Sequence, residues 1–401
     1  MEILFSWIWA FNKGVIMMEY NRSVLWGSPK HWRTTAPVGS HGYASQFTNQ
    51  GWQVLFISSP ITPLHRLFAA DSRLYGERIA IHKDGGRWEE NGMLWEYVPW
   101  SLVPSKKVPN WWLQLSFGNL EKALKKASID MKPSIVWIDN PEFGELFAKY
   151  PFAKHVLRIA DRNQDLKGFN HRLLKQQRKL AQEADLVVVT SYSLEREWRE
   201  MGINNLLRVP NGVDLRKFQG ATSQKEPPDL KGISRPIAIF IGMIDHWFDV
   251  NLLKSVAGLL PDISFVIIGR RGINVDQLRS AKNIHILGER SPQLVPTYLQ
   301  YADVGIIPFE QSKFSDAINP VKYYEYTASG LPVVATDTLE FRQLGDPVLL
   351  ATNAEQFAAQ IVVALQGGAL QKEALKKQAS GMSWESRWKV IMNNLFPGSY
   401  L

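Results

Sequence analysis

Short apolar segments alternate with helical segments in two consecutive runs along this chain of 401 residues. The first run extends from residues 23–27 to 206–209, and the second from 236–241 to 332–335. A polar segment at 217–235, which contains Pro227 and Pro228, separates the two runs. Strand–helix alternation is typical of parallel sheets covered by helices. The sequence therefore predicts an α/β protein with two parallel-sheet domains, and such domains bind ligands in the cleft at the carboxyl ends of their strands.

The predicted domain boundaries follow from these runs. Residues 19–215 form the predicted amino-terminal domain, 216–383 the carboxy-terminal domain, and 384–401 a segment with a last amphipathic helix. Residues 1–18 precede the first domain as an extension. Their apolar stretch is too short to span a bilayer and lacks the basic region and cleavage site of a signal peptide. An upstream extension of the reading frame and an interfacial anchor both remain open for them.

One predicted helix, at 320–329, carries the clearest signals of chemistry. Asn319 is a good N-cap residue and Pro320 suits the first helical position. Lys322 near the helix start adds an ammonium group to the free backbone donors, which together favour a phosphate. Glu325 follows on the same face and could accept hydrogen bonds from a ribose diol. These groups suit a nucleoside-diphosphate sugar, and the alternative is a solvated ion pair on an ordinary capped helix.

Composition narrows the possible functions. The chain has no cysteine, which excludes disulfides, thiol catalysis and Cys-ligated metal centres. Its net charge of +8 favours anionic partners. We expect no nucleic acid among them, because no zinc finger, RRM signature or arginine-rich run is present. No pair of histidines has the spacing of a metal site, so no catalytic metal is expected.

Two further features lie in the first half of the chain. Residues 78–82 and 93–98 are predicted to form a hairpin or strand pair. A cluster of cations and tryptophans could dock on anionic lipid headgroups, the alternative being a solvated basic helix with tryptophans in the core. The cluster consists of Lys106, Lys107, Trp111, Trp112, Lys122, Lys125 and Lys126.

Several motifs resemble those of GT-B glycosyltransferases from bacterial polysaccharide biosynthesis. The segment from Asn319 to Thr336 is similar to their donor helix, Pro210 to Asp214 to their interdomain turn, and 304–309 to the strand before the donor loop. Residues 26–33 and 59–65 resemble their amino-terminal loops. Teichuronic-acid-type transferases and the xanthan-type glucuronosyltransferase are the nearest kinds. The resemblance implies two Rossmann-like domains facing across a cleft, with the carboxy-terminal helix returning toward the amino-terminal domain.

The resemblance also implies a donor site and an acceptor site. The donor residues would be Lys322, Glu325, Asn319, Val321, Gly242, Met243, Glu289 and Phe309. Gly242 and Met243 end a strand where a phosphate could approach the backbone. Glu289 would bind the nucleobase or sugar, and Phe309 would lie against the base or pack in the core. Arg33 and Asp139 would contact the acceptor.

A departure from the pattern bears on the mechanism. Retaining enzymes with a Glu-x7-Glu motif carry a glutamate where this chain has Ala317, and the loop at 242–249 lacks the usual phosphate-binding Arg or Lys. An inverting mechanism is therefore favoured, which needs a base for the acceptor hydroxyl. Asp161 is the first candidate, the alternative being a capping or Arg-paired aspartate, and Asp139 is the second. His41 would contact the acceptor, assist in acid/base chemistry or be structural.

The resemblance implies transfer of a sugar, with glucuronic acid as a candidate, from a UDP-sugar to a glycan or lipid-linked glycan acceptor. The donor is a substrate, and neither cofactor nor metal is expected. The enzyme would be cytoplasmic and peripheral on the inner face of the cell membrane. Two alternatives remain at this point: a UDP-sugar 2-epimerase of the same fold, and a non-catalytic nucleotide-sugar-binding or scaffold subunit.

Overall fold

The computed structural model describes residues 22–34, 39–63, 72–102, 119–127, 129, 132–165, 171–219, 225–345 and 347–398. The predicted extension at 1–18 lies outside the described residues. So do four members of the predicted lipid-docking cluster, Lys106, Lys107, Trp111 and Trp112.

Eight strands form the sheet of the amino-terminal domain, in the spatial order β3-β4-β2-β1-β5-β6-β7-β8. All neighbours are parallel except β3 and β4, which are antiparallel. The strands are β1 (Ser23–Ser28), β2 (Gln53–Ser58), β3 (Arg87–Glu89), β4 (Leu94–Tyr97), β5 (Ile135–Ile138), β6 (Lys154–Ile159), β7 (Leu186–Val189) and β8 (Leu206–Arg208). The described helices are α1 (Gly39–Asn49), α2 (Ser72–Asp84), α3 (Leu120–Lys126), α4 (Glu145–Lys149), α5 (His171–Glu183) and α6 (Tyr192–Glu200).

Six parallel strands form the sheet of the carboxy-terminal domain, in the order β11-β10-β9-β12-β13-β14. They are β9 (Ile237–Ile241), β10 (Ser264–Ile268), β11 (Ile284–Gly288), β12 (Val304–Ile307), β13 (Val333–Thr336) and β14 (Val348–Ala351). After the linker helix α7 (Leu215–Gln219), the described helices are α8 (Val250–Leu259), α9 (Val295–Gln300), α10 (Val321–Ala328), α11 (Leu339–Leu344), α12 (Ala354–Leu365), α13 (Ala369–Ala379) and α14 (Trp384–Leu395). Short 3-10 turns include Pro141–Phe143, Asp276–Ser280 and Ser315–Ala317.

Both faces of the amino-terminal sheet are covered, which explains its continuous apolar strands. Because successive side chains of a strand point to opposite faces, Leu25 and Leu55 belong to one core cluster, and Val24 and Val54 to the other. The strands of the carboxy-terminal sheet belong to a single large cluster. The carboxyl ends of the two sets of strands carry the residues predicted for the site.

The last helix, α14, packs on the amino-terminal domain. Trp388 lies with Phe47 of α1 in an edge-to-face pair, with ring centroids 5.8 Å apart. Ile391 and Met392 are fully buried in the same core cluster. The return of the chain to its first domain, which the resemblance implied, is therefore observed.

Two parts of the secondary-structure prediction were wrong. Residues 78–82 belong to helix α2 rather than to a strand, and β4 pairs instead with β3. The alternation of Ile79 and Ile81 imitates a strand, but Ile81 is buried against Ile61 and Val98 from a helix. Helices α11 and α13 and strand β14 were not predicted.

Candidate active site

Helix α10 begins one residue later than predicted, and Asn319 does not cap it. Pro320 is the N-cap residue, with no side-chain capping bond. The Asn319 side chain turns instead toward the other domain, where its Oδ1 accepts a hydrogen bond from the backbone N–H of Asn211 at 2.8 Å. Asn319 is 4% exposed and its amide also donates to Glu340 and Tyr324. The Asn319 side chain is thus engaged by internal partners, and its contact with the donor stays a prediction.

The ammonium group of Lys322 is held at the carboxyl end of β9. Its Nζ lies 4.9 Å from the ring centroid of Phe240 and 5.0 Å from that of Phe309, both within cation–π range. A Cβ atom on Gly242 would stand 2.9 Å from Cε of Lys322 and 3.3 Å from Nζ, so the lysine runs directly over this glycine. Burial lowers the pKa of Lys322 to about 8, against a smaller opposite effect of Glu325. A cation with little hydration is well suited to an incoming anion.

Two glycines give the backbone around Lys322 its shape. Gly242 has φ 151° and Gly269, after β10, has φ 153°, values that favour glycine. A Cβ atom on Gly269 would overlap the carbonyl oxygen of Gly242. The N–H of Gly242 donates to Ile268 and the N–H of Gly269 donates to Gly288, so the ends of β9, β10 and β11 form one closely packed edge.

Phe309 was predicted either to lie against the base or to pack in the core, and its burial favours the core. Phe309 is 1% exposed and packs beneath the Lys322 ammonium. Met243, by contrast, is 43% exposed at the end of the Gly242 turn. Glu289 is exposed directly after β11. Both are accessible at the edge where a nucleotide sugar would lie.

An interdomain cavity of about 1260 Å³ brings together four of the predicted residues. Arg33 and His41 line it from the amino-terminal domain, and Val321 and Glu325 line it from α10. Its volume exceeds the roughly 300–1,000 Å³ of typical ligand pockets. Lys322 follows Val321 directly but points to the Gly242 side, outside this lining.

Glu325 lies on the cavity wall, and its pKa differs from that of an exposed glutamate. Burial raises its pKa to about 7, while the positive charges of Lys322 and Lys217 oppose that shift. When ionised, its carboxylate can accept hydrogen bonds from two neighbouring hydroxyls. This is the arrangement predicted for a ribose diol.

His41 and Arg33 have internal partners as well as cavity exposure. The Nε2 of His41 lies 3.1 Å from the backbone oxygen of His31, and its ring stacks on Trp32 with centroids 5.3 Å apart. His41 is 7% exposed, which favours the structural alternative while leaving one edge on the cavity. Arg33 pairs with Glu89 at 3.0 Å on the cavity rim.

Asp161 is half-buried just after β6, and burial raises its pKa, with Arg158 and Lys30 acting in the opposite direction. The pKa of Lys30, two residues after β1, is lowered, mainly by burial. The charge of Asp161 opposes this shift, and the charge of Arg270 adds to it. Arg270 belongs to the other domain, so this part of the cleft brings charges of both domains within reach. The alternative pairing with Arg162 is not observed, because Arg162 binds Glu197 and Asp165.

Asp139, predicted as an acceptor contact and as the second candidate for the base, has internal hydrogen-bond partners. Its two carboxylate oxygens accept hydrogen bonds from the indole N–H groups of Trp26 at 2.8 Å and Trp137 at 3.1 Å. Its side chain is 6% exposed and faces Arg158 at 3.9 Å. Asp139 is therefore part of the internal structure of the amino-terminal domain.

Sequence reasoning missed three residues of this region. Lys30 lies in the loop at 26–33 but was given no role there, and Asn211 was assigned only to a turn. Arg270 could have been found, because the segment Gly269-Arg270-Arg271-Gly272 places two cations directly after a predicted strand. Within the described residues, no group of three His, Asp or Glu side chains is placed to hold a metal ion.

Two family models match the two domains. The model described as "Glucuronosyltransferase GumK, N-terminal domain" matches residues 27–190, and "Glycosyl transferases group 1" matches residues 235–367. A protein of Bacillus subtilis (strain 168), described as a teichuronic acid biosynthesis glycosyltransferase, TuaH, is 26% identical over 294 residues, covering 67% of this chain and 73% of its own length.

Solved structures show the same fold at low sequence identity. Sucrose-phosphate synthase from Thermosynechococcus elongatus superposes with a TM-score of 0.68 at 13% identity, covering 92% of this chain and 96% of that one. Anabaena HepE, solved in complex with UDP and glucose, superposes with a TM-score of 0.65 at 14% identity, covering 93% of this chain and 99% of that one.

The chain is a GT-B glycosyltransferase, since its two facing domains have the fold of these structures and each matches a glycosyltransferase family. Within that class it is similar to bacterial polysaccharide-biosynthesis enzymes, as the segment 319–336 predicts. The predicted fold class and enzyme class are both confirmed.

Proposed function

We propose that this enzyme transfers a sugar from a UDP-sugar to a glycan or lipid-linked glycan acceptor, with glucuronic acid as the first candidate for the sugar. Three similarities support this choice. The amino-terminal match is named for a glucuronosyltransferase, the Bacillus relative for teichuronic acid biosynthesis, and HepE was solved with UDP-glucose.

The observation that carries the proposal is the place of Lys322. Its ammonium lies over a glycine at the carboxyl end of a central strand and near the first turn of α10. Helix N-termini bind phosphate through free backbone donors, and a poorly hydrated cation strengthens that binding. We propose that the diphosphate of the donor binds beside Lys322 and Gly242, and that its ribose binds to Glu325.

The proposed reaction is an inverting displacement. Asp161 takes the proton of an acceptor hydroxyl while the hydroxyl oxygen bonds to the anomeric carbon of the sugar. The bond from that carbon to the β-phosphate oxygen breaks, and UDP leaves with a negative charge that Lys322 and α10 stabilise. The raised pKa of Asp161 makes it a stronger base than an exposed aspartate. We propose that the reaction needs no metal.

We further propose a cytoplasmic enzyme that docks on the inner face of the cell membrane. Of the helices in the described part of the chain, none has both the length and the apolarity needed to cross a bilayer. Lys122, Lys125 and Lys126 form an exposed basic face on α3, while Leu120 and Leu124 are buried. Such a face attracts anionic headgroups.

A panel of UDP-sugars, screened by thermal shift and then by transfer to a lipid-linked glycan fraction, tests the proposal. A ligand that binds only the folded state raises the melting temperature. We expect UDP-glucuronic acid to stabilise the protein and to yield a lengthened glycan. Stabilisation by no UDP-sugar would contradict the proposal, and a new sugar formed from the donor alone would indicate an epimerase.

A further inference from the structure

A series of buried hydrogen bonds joins the two domains beside the proposed site. Asn211, 7% exposed in the interdomain turn, accepts a hydrogen bond from Nη2 of Arg158 to its Oδ1 at 2.9 Å. Its amide nitrogen donates to the backbone oxygen of Asn319 at 2.7 Å. Its backbone N–H donates to Oδ1 of Asn319 at 2.8 Å. Asn211 therefore binds β6 of one domain and the entry to α10 of the other.

The two ends of this series of hydrogen bonds, Arg158 and Asn319, lie close in sequence to residues of the proposed reaction. Arg158 is three residues before Asp161, and Asn319 is three residues before Lys322. Arg158 is 2% exposed and also lies over the ring of Tyr43, with 5.7 Å between its Cζ and the centroid. A displacement of either end would therefore move a site residue with it.

Further bonds fix Asn211 and Asn319 from other elements. Nε of Arg387, on α14, donates to the backbone oxygen of Asn211 at 3.3 Å. Nδ2 of Asn319 donates to Glu340 at 2.7 Å. The other carboxylate oxygen of Glu340 accepts from the N–H of Tyr192, in the opposite domain, at 2.8 Å. Buried polar groups that bind one another in a network of this kind favour one arrangement of the elements they join.

The packing leaves no spare room around the Arg158–Asn211 bond. A Cβ atom on Gly39, at the start of α1, would overlap the guanidinium of Arg158 and stand 2.8 Å from Oδ1 of Asn211. A glycine is needed here because of space, since its backbone conformation is not a left-handed one. This contact offers a way to disturb the bond without removing a polar group.

We propose that Asn211 is a positioning residue. It holds Asp161, the base for the acceptor hydroxyl, at the correct position relative to Lys322, which binds the diphosphate. The inference rests on the proposed function for the roles of those two groups. In this proposal Asn211 acts through Arg158 and Asn319, which its hydrogen bonds hold. Its effect should therefore fall on transfer, which needs both domains in register, and not on UDP binding, which uses the carboxy-terminal domain.

Three variants test this role. Asn211→Ala removes both side-chain bonds. Asn211→Asp keeps the acceptor for Arg158 but places an oxygen against the carbonyl of Asn319, which breaks the side-chain bond to Asn319 and leaves the backbone bond in place. The methyl group added by Gly39→Ala displaces the guanidinium of Arg158 from Oδ1 of Asn211. Gly258→Ala, on α8, is the matched control, because a Cβ atom there meets nothing within 4 Å.

The measurements are UDP affinity and binding stoichiometry by calorimetry, and kcat for transfer per folded molecule. We expect the three variants to keep the affinity of the parent, while kcat falls by about 100-fold, as misplacements near 1 Å do. The Gly258→Ala protein should match the parent in both. A structural role alone would lower stoichiometry and rate in proportion, with an unchanged kcat per folded molecule.

The outcomes separate the two claims. A parent enzyme that neither binds nor uses a UDP-sugar contradicts the proposed function. An active parent whose Asn211→Asp and Gly39→Ala variants turn over at the parental rate overturns the positioning role. If Asn211→Ala does not fold, the other two variants still decide the question.

Discussion

The affinity for UDP should fall as the pH rises past the pKa of Lys322. That pKa is lowered to about 8 by burial, so the empty site loses its positive charge within an accessible range. Only the ammonium form can bind the diphosphate strongly, and binding an anion draws the pKa of the lysine upward. If only the protonated form binds, the apparent Kd should rise about tenfold between about pH 7 and about pH 9, a loss of about 1.4 kcal/mol.

Calorimetric titration of UDP across this range measures the effect. The Lys322→Met variant keeps a similar shape without a charge, and should bind UDP weakly with no slope above neutral pH. Glu325, with a pKa raised to about 7, ionises at the beginning of the range and acts in the opposite direction. A Glu325→Gln background removes this opposite contribution, and because the charge of Glu325 raises the pKa of Lys322, the loss of affinity should then begin at a lower pH. A parental Kd that does not change up to pH 9 would refute the reasoning.

Three other predictions concern the same site. Glu325→Gln should weaken UDP binding by about tenfold but should weaken 2′-deoxy-UDP binding less; equal losses by calorimetry would remove the ribose contact. Asp161→Asn should lower transfer by about 10²–10⁴-fold while UDP affinity stays parental, and a retained rate would place the base elsewhere. Gly269→Ala should lower the free energy of unfolding by at least about 2 kcal/mol, because its Cβ overlaps the carbonyl of Gly242 at a strained φ. Gly258→Ala should raise the free energy of unfolding by up to about 1 kcal/mol. Similar melting curves for the Gly269→Ala and Gly258→Ala proteins would contradict the close packing at Gly269.

The predicted strands of both sheets were found within about two residues of their expected ends because they are continuous apolar runs bounded by turn residues. The strand β12, predicted at 304–307, is an example. Helix α2 was misassigned because a five-residue window around Ile79 and Ile81 shows alternation, whereas the helical pattern needs the whole segment Ser72–Asp84. The edge strand β14 is only partly buried and gives a weak signal.

The site could be predicted only where local chemistry decides the structure. Lys322 and Glu325 lie one turn apart on α10 whatever surrounds them, although the structure turns Lys322 toward Gly242 and Glu325 toward the cavity. Asn319 has good capping chemistry, but a partner 108 residues away in the sequence binds it instead. Asp139 has a position at a strand end like that of Asp161, yet one of the two indoles that bind its carboxylate belongs to Trp26, 113 residues away in the sequence. Such partners are set by tertiary packing, which no local pattern contains.

A crystal structure with UDP bound is the most direct measurement of the central claim, that Lys322 holds the diphosphate of the donor between the two domains. We expect Nζ of Lys322 to lie about 2.7–2.9 Å from a diphosphate oxygen, with the ribose hydroxyls on Glu325. UDP bound with its phosphates away from the Gly242 turn, and Lys322 still stacked on Phe240 and Phe309 without a phosphate contact, would contradict the account.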